Sequence, residues 1–209
     1  MFAYCGNNPV LFSDPSGNIR VCATEREIFY VPITEQITVS EPEDQVYGIV
    51  NGQEYLPYAD EKIGLGSYKK SGCAYIAAYN ALQLTGNGKP LSTVTYEIYN
   101  YYGSLMFGAG GVAPRDLSAY LSDQVQGTIA SDDLNSLLVD IPNGSVITFT
   151  IMNNKSNIFK GWHAMTALYE DGKYSVFNRY SNRTQTYEMD YLEEAVGEGR
   201  FLYGIRIDP

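Results

Sequence analysis

The hydrophobic period of the chain changes at Asn143-Gly144, and this change constrains the fold more than any other feature. Upstream, from Ser71, alanines recur at the spacing of one helix face: Ala74, Ala77, Ala78 and Ala81. Downstream, short alternating segments predict five strands: Val146–Met152, His163–Tyr169, Tyr174–Arg179, Thr184–Met189 and Phe201–Ile207. The order predicts an α+β fold, in which an N-terminal helical layer packs on a C-terminal antiparallel sheet.

Turn and cap signals divide the helical part. Gly86 and Gly88 predict the end of the first helix. Three shorter helices are expected after it, the second with a proline in its first turn and the third capped by Ser131: Ser92–Tyr102, Pro114–Leu121 and Ser131–Leu138.

Asp171-Gly172 predicts a two-residue hairpin turn between two of the strands. This turn pairs Tyr169 with Tyr174, which places Met165 opposite Asn178 and His163 opposite Tyr180. His163 and Asn178 then project from the same face of the sheet as diagonal neighbours. An amide in that position can orient an imidazole through its side-chain carbonyl.

Cys73 lies where the helical pattern begins, and a thiol nucleophile needs a base. The chain has one histidine, His163, so this side chain is the expected base. We expect the helix dipole and the imidazolium to lower the pKa of the Cys73 thiol. The alternatives are ordinary: a cysteine as a small buried hydrophobe, a histidine satisfied in the core, and Asn178 in a turn.

Composition excludes several classes of function. The net charge of −10 argues against binding to nucleic acid, which needs clustered Lys and Arg. No apolar stretch is long enough to span a bilayer, and no secretory signal is evident at the N-terminus. The three cysteines leave at least one unpaired; Cys5 and Cys22 remain open as a pair. One histidine and scattered carboxylates predict no metal site, and no cofactor is expected.

The first residues of the chain are rich in turn-forming residues and contain Tyr-x-x-Asn-Asn-Pro-Val and Asp-Pro-x-Gly. This segment resembles the end of the conserved core of Rhs/YD-repeat proteins. The resemblance implies a core remnant at 1–17 and an effector after Gly17. Short apolar stretches broken at Pro32 and Glu41-Pro42 indicate a linker with short strands at 18–60, which leaves 61–209 as the catalytic domain. The resemblance further implies bacterial delivery within a larger protein, an immunity protein as a candidate partner, and Met1 as a candidate internal residue.

Three segments carry the candidate chemistry: Ser71-Gly72-Cys73 at a helix start, Trp162-His163-Ala164-Met165 at a strand start, and Val176-Phe177-Asn178 in the next strand. In this order they resemble papain-like cysteine peptidases, especially the bacterial branch that includes bacteriocin-processing peptidases. The likeness covers roughly residues 60–207. It implies Cys73 as nucleophile, His163 as general base and then acid, Asn178 as the orienting residue, and a protein or peptide substrate.

Two positions depart from that family. The oxyanion-hole glutamine falls near Ser67, and Ala74 replaces the glycine that often follows the cysteine. Gln53 and Ser67 are therefore candidate oxyanion donors, beside the backbone amide of Cys73. Candidate cleft residues are Trp162, Gly110 and Gly111.

Several functions remain open at this stage. The same triad can hydrolyse a peptide, deamidate a side chain or transfer an acyl group to an amine. The absent glutamine also leaves open a non-catalytic binding module on the same scaffold. A structural cap that seals a repeat shell is the third alternative.

Overall fold

The computed structural model describes the backbone of residues 12–13, 19–24 and 27–32, together with residues 48–153 and 161–209. The chain divides into two units, Met1–Thr38 and Val39–Pro209. The described strands of the first unit are antiparallel neighbours in the order β1-β2-β3: β1 (Phe12–Ser13), β2 (Ile19–Thr24) and β3 (Glu27–Pro32). The rest of the Rhs-like segment at 1–17 lies outside the described residues.

The second unit contains a mixed set of helices and strands that defines an α+β fold. Its strands are β4 (Lys62–Ile63), β5 (Gly66–Ser67), β6 (Thr128–Ser131), β7 (Val146–Met152), β8 (Trp162–Glu170), β9 (Lys173–Phe177), β10 (Tyr187–Met189) and β11 (Arg200–Ile207). Its α-helices are α1 (Tyr68–Ser71), α2 (Cys73–Leu84), α3 (Leu91–Glu97), α4 (Pro114–Gln124), α5 (Leu134–Leu138) and α6 (Glu193–Val196). A π-helical turn, Ile98–Tyr102, continues α3, and short 3-10 turns cover Gln53–Tyr55 and Leu105–Gly108.

The main sheet has six antiparallel strands in the order β10-β9-β8-β7-β11-β6. The hairpin between β8 and β9 has the predicted register, with Tyr169 opposite Tyr174. Asp171 and Gly172 have φ of 52° and 80°, the left-handed conformations that a two-residue hairpin of this kind requires. The turn chemistry therefore fixed the pairing that brings the start of β8 beside the end of β9.

Helices cover both faces of the sheet. On one face α2, α3 and α4 pack against residues such as Ala164 and Ile205. On the other, α5 and α6 pack against residues such as Phe149 and Met165. Because both faces are covered, every residue of β7 is buried. The predicted helical layer is thus present, and a second, smaller helical layer lies opposite it.

Some predicted elements have different bounds. Ser131 is the last residue of β6, paired with Gly204, and does not cap a helix. The cap of α5 is Asp133, whose carboxylate accepts hydrogen bonds from the amides of Asn135 and Ser136. Sheet pairing outcompeted the local cap signal here. Strand β9 also ends at Phe177, two residues before its predicted end.

Candidate functional site

Cys73 is the first residue of α2, as predicted, and Gly72 is its N-cap. The amide of Gly72 donates to the carbonyl of Tyr68 in α1 at 2.9 Å. A side chain at Gly72 would collide with the backbone of Tyr68, so the junction between the two helices requires glycine. Cys73 is a free cysteine and is partly buried.

The sulfur of Cys73 lies against the start of β8. Backbone hydrogen bonds from Ala164, Ala74 and Cys73 itself reach the thiol. Farther along, the hydroxyl of Thr166 donates to the carbonyl of Ala77 at 2.7 Å and ties β8 to α2. Ala164 directly follows His163 in β8, so the Cys73 sulfur lies near the main chain at the start of this strand. Within the part of the chain that is described, no hydrogen bond joins the side chains of Cys73 and His163.

His163 is held by the main chain of Asn178. The ring Nε2 lies 2.6 Å from the Asn178 carbonyl oxygen in a buried contact. A carbonyl oxygen can only accept, so Nε2 carries the ring proton and Nδ1 is the nitrogen free to act as a base. Asn178 therefore contacts the His163 ring through its backbone carbonyl, and its orienting role in catalysis stays a prediction. The predicted role for its side-chain carbonyl is wrong, because that oxygen accepts from the amide of Gly52 at 3.2 Å.

The backbone of Asn178 explains both contacts. Asn178 has a φ of 53°, a left-handed conformation that asparagine tolerates better than most residues and that a strand does not contain. It ends β9, so the pairing between β8 and β9 begins only at Thr166 opposite Phe177. Ala164 lies beyond that pairing and is paired on its other side with Thr150 of β7.

Burial sets the protonation of both groups. Desolvation raises the pKa of the Cys73 thiol, and the three backbone hydrogen bonds offset this only in part. Desolvation also lowers the pKa of His163; the Asn178 carbonyl opposes this, and the charge of Arg179 adds to it. The expected lowering of the thiol pKa is therefore not found: burial favours the neutral form of the Cys73 thiol and of the His163 imidazole.

The two candidate oxyanion donors lie close to the start of α2. Gln53 is 3% exposed; its Nε2 donates to the carbonyl of Lys69 at 3.1 Å, and its Oε1 accepts from Asn178 Nδ2 at 3.4 Å. Ser67 is also buried, and its carbonyl accepts from the hydroxyl of Ser71 at 3.2 Å. Through these contacts Gln53 links Lys69 to Asn178. Donation to an oxyanion by the side chain of Gln53 or Ser67 stays a prediction.

The candidate cleft residues flank the two reactive groups separately. Trp162 precedes His163 in β8 and is 37% exposed. Gly111 is buried, with a φ of 76°, and a Cβ there would lie 3.4 Å from the carbonyl of Ser71. Gly110 lies in the exposed turn beside it. The glycines therefore border the segment that leads into Cys73, and Trp162 borders the base.

Two parts of the site were missed at the sequence level. Asn51-Gly52 is a turn signal that fell in the predicted linker, yet both residues contact Asn178. Arg179 directly follows Asn178, and its guanidinium lies 4.8 Å from the ring centroid of Tyr180. No sequence pattern connects Asn51-Gly52 or Arg179 to His163, because these residues come near His163 only in the folded chain.

No protein-family model matches the chain, and no curated protein matches it. Within residues 48–153 and 161–209, no three His, Cys, Asp or Glu side chains are grouped as metal ligands. None of the helices in the described part has the length and apolar character needed to cross a bilayer.

Proposed function

We propose that the protein is a cysteine-dependent enzyme acting on acyl bonds, with peptide hydrolysis as its reaction and a papain-like arrangement of its second unit. One observation carries the proposal. The sulfur of Cys73 bonds to the backbone of Ala164, while the adjoining His163 is buried and held at Nε2 by the Asn178 carbonyl. Nucleophilic catalysis needs a thiol within reach of an unprotonated imidazole nitrogen, so the proposal requires Nδ1 of His163 to reach the Cys73 thiol when substrate is bound.

Because both groups are neutral at rest, the proton moves as the bond forms. The Cys73 thiol passes its proton to Nδ1 of His163 while the sulfur attacks the substrate carbonyl carbon. The carbonyl π-electrons move to oxygen, where the backbone amide of Cys73 stabilises the charge. The C–N bond then breaks, and the leaving amine takes the proton from His163. A thioester remains on Cys73.

Water completes the cycle. His163 takes a proton from a water molecule, whose oxygen attacks the thioester carbonyl. The C–S bond breaks, the acid leaves, and the sulfur recovers the proton from the imidazolium. Deamidation of a Gln or Asn side chain follows the same steps with ammonia as the leaving group. Acyl transfer replaces water with an amine. Trp162, exposed beside the base, supplies an apolar wall for the substrate.

The Rhs-like segment supports a biological setting for this activity. Such an effector is carried at the C-terminus of a larger repeat protein. It would be delivered into another bacterial cell and would act on a protein there. A producing cell would then need an immunity protein against it. The N-terminal motif at 1–17 is the support for this setting.

A second candidate is a non-catalytic binding module, and two observations favour it. Burial raises the pKa of the thiol, and Gln53 is engaged by Lys69 and Asn178. A scaffold of this kind would bind a peptide beside Trp162 without cleaving it. An assay for peptide cleavage therefore distinguishes the enzyme from the binding module.

The deciding experiment digests a peptide library with wild-type protein and with Cys73→Ala, and identifies products by mass spectrometry. We expect new peptide termini from the wild type and a loss of at least about a thousandfold in Cys73→Ala. Cys22→Ala, the same substitution at a cysteine of the first unit, is the matched control and should keep full activity. Amide-to-acid conversion without cleavage would identify a deamidase. A fully active Cys73→Ala protein would overturn the enzymatic proposal.

A further inference from the structure

We propose that the segment Val50–Glu54, here called the strap, is the positioning device of the base. It holds Asn178 in the backbone conformation that presents its carbonyl to His163. The inference rests on the proposed function, because it assigns a role in keeping His163 ready to act. Asn51, Gly52 and Gln53 are positioning residues in this sense, since they act through Asn178.

The strap takes three of the four polar groups of Asn178. Oδ1 of Asn51 accepts from the Asn178 amide at 2.7 Å, the amide of Gly52 donates to Asn178 Oδ1 at 3.2 Å, and Gln53 Oε1 accepts from Asn178 Nδ2 at 3.4 Å. The fourth group, the carbonyl, is the one that bonds to His163. Asn178 is fully buried, so its polar groups need these partners.

The left-handed conformation of Asn178 is what the strap must maintain. A non-glycine residue at a φ of 53° is held there at an energetic cost, and it persists only where surrounding contacts fix it. Without the strap, the chain after Phe177 is free to adopt extended backbone and to continue β9. The carbonyl of Asn178 would then leave His163.

The strap is also attached to the helix that carries the nucleophile. The side chain of Asn80 in α2 makes two hydrogen bonds to Val50, one to its amide and one to its carbonyl, each 2.9 Å long. Gln53 adds the contact to Lys69 of α1. Beyond Asn178, the amide of Glu54 donates to the carbonyl of Ser181 at 2.9 Å. A single short segment thus connects the cysteine helix to the orienting residue of the base.

The test uses the fact that the chain has one histidine, so the imidazole NMR signals need no assignment. In Asn51→Ala we expect a lower His163 pKa than in the wild type, because a loosened carbonyl stabilises the imidazolium less. We also expect a fall in kcat of about tenfold to a hundredfold with little change in KM. Thr186→Val is the matched control: it removes only the other hydrogen bond of Asn51, from Nδ2 to Thr186 Oγ1 at 3.2 Å.

A second pair of variants separates the backbone of Asn178 from its side chain. Glycine tolerates a positive φ and keeps the carbonyl, whereas alanine keeps the carbonyl but is strained. Asn178→Gly should therefore retain more of the Nε2-protonated tautomer, read from the ring 15N shifts, than Asn178→Ala. A wild-type tautomer in Asn178→Ala would mean that neither the left-handed backbone nor the side-chain contacts to the strap are needed, and would overturn the inference.

The NMR and peptide-cleavage results test the strap and the enzymatic proposal separately. An Asn51→Ala protein with the wild-type His163 pKa and tautomer overturns the strap. If wild-type protein cleaves no peptide but the His163 signals respond to Asn51→Ala and not to Thr186→Val, the strap stands and the enzymatic proposal fails. Circular dichroism below the melting temperature of each variant confirms that the folded protein is being measured.

Discussion

Asn80→Ala should destabilise the second unit far more than an ordinary loss of one polar side chain. Asn80 is fully buried, and both of its hydrogen bonds go to the backbone of Val50, which is itself 6% exposed. The substitution leaves a buried amide and a buried carbonyl without partners. Each such group costs about 1–3 kcal/mol. We therefore expect a loss of about 3 kcal/mol, a large share of the total stability of about 5–15 kcal/mol for a domain.

Equilibrium unfolding in urea measures this loss, and a thermal melt should show Tm lower by about 6–12 °C for a domain of this size. Asn100→Ala is the control, since the Asn100 amide donates to the carbonyl of Tyr96 at 2.9 Å in an exposed hydrogen bond. That variant should lose no more than about 0.5 kcal/mol. If Asn80→Ala also stays within about 1 kcal/mol of wild type, the two bonds to Val50 do not anchor the strap and the reasoning fails.

Two further predictions concern pH and packing. His163 has a lowered pKa in the folded state, so the unfolded chain binds its proton first; urea stability should fall as the pH drops below the ordinary 6.5. His163→Gln should remove the part of this pH dependence that His163 causes. If the stability of His163→Gln falls with pH as much as that of the wild type, His163 is not the responsible group. Gly66→Ala should cost about 1–3 kcal/mol in a thermal melt, because its Cβ would collide with the Ser71 hydroxyl and the Gly108 carbonyl. Gly48→Ala, with open space around it, is the control; equal melts of both variants would refute the packing argument.

The elements that the sequence predicts well have local causes. Cys73 opens α2 because a glycine junction precedes an alanine-rich helical face, and Pro114 begins α4 because its fixed φ suits a first helical turn. Asp171-Gly172 set the register of the β8–β9 hairpin for the same kind of reason. In each case the residues that determine the structure lie within a few positions of it.

The features that the sequence misses depend on distant residues. Ser131 resembles a helix cap until β6 pairs with β11, which comes about seventy residues later. The thiol pKa moves opposite to the expectation because burial by the whole fold outweighs the backbone hydrogen bonds at the helix start. The strap reaches Asn178 from residues far upstream, so no window of the sequence contains both partners.

The left-handed backbone at Asn178 determines the tautomer of His163. Because β9 ends at Phe177, Asn178 leaves the sheet and its carbonyl contacts Nε2 of the ring. A carbonyl oxygen only accepts, so Nε2 carries the proton and Nδ1 is unprotonated. Under the proposed mechanism, Nδ1 takes the proton of the Cys73 thiol as the sulfur attacks a carbonyl, so the two groups need no ion pair at rest.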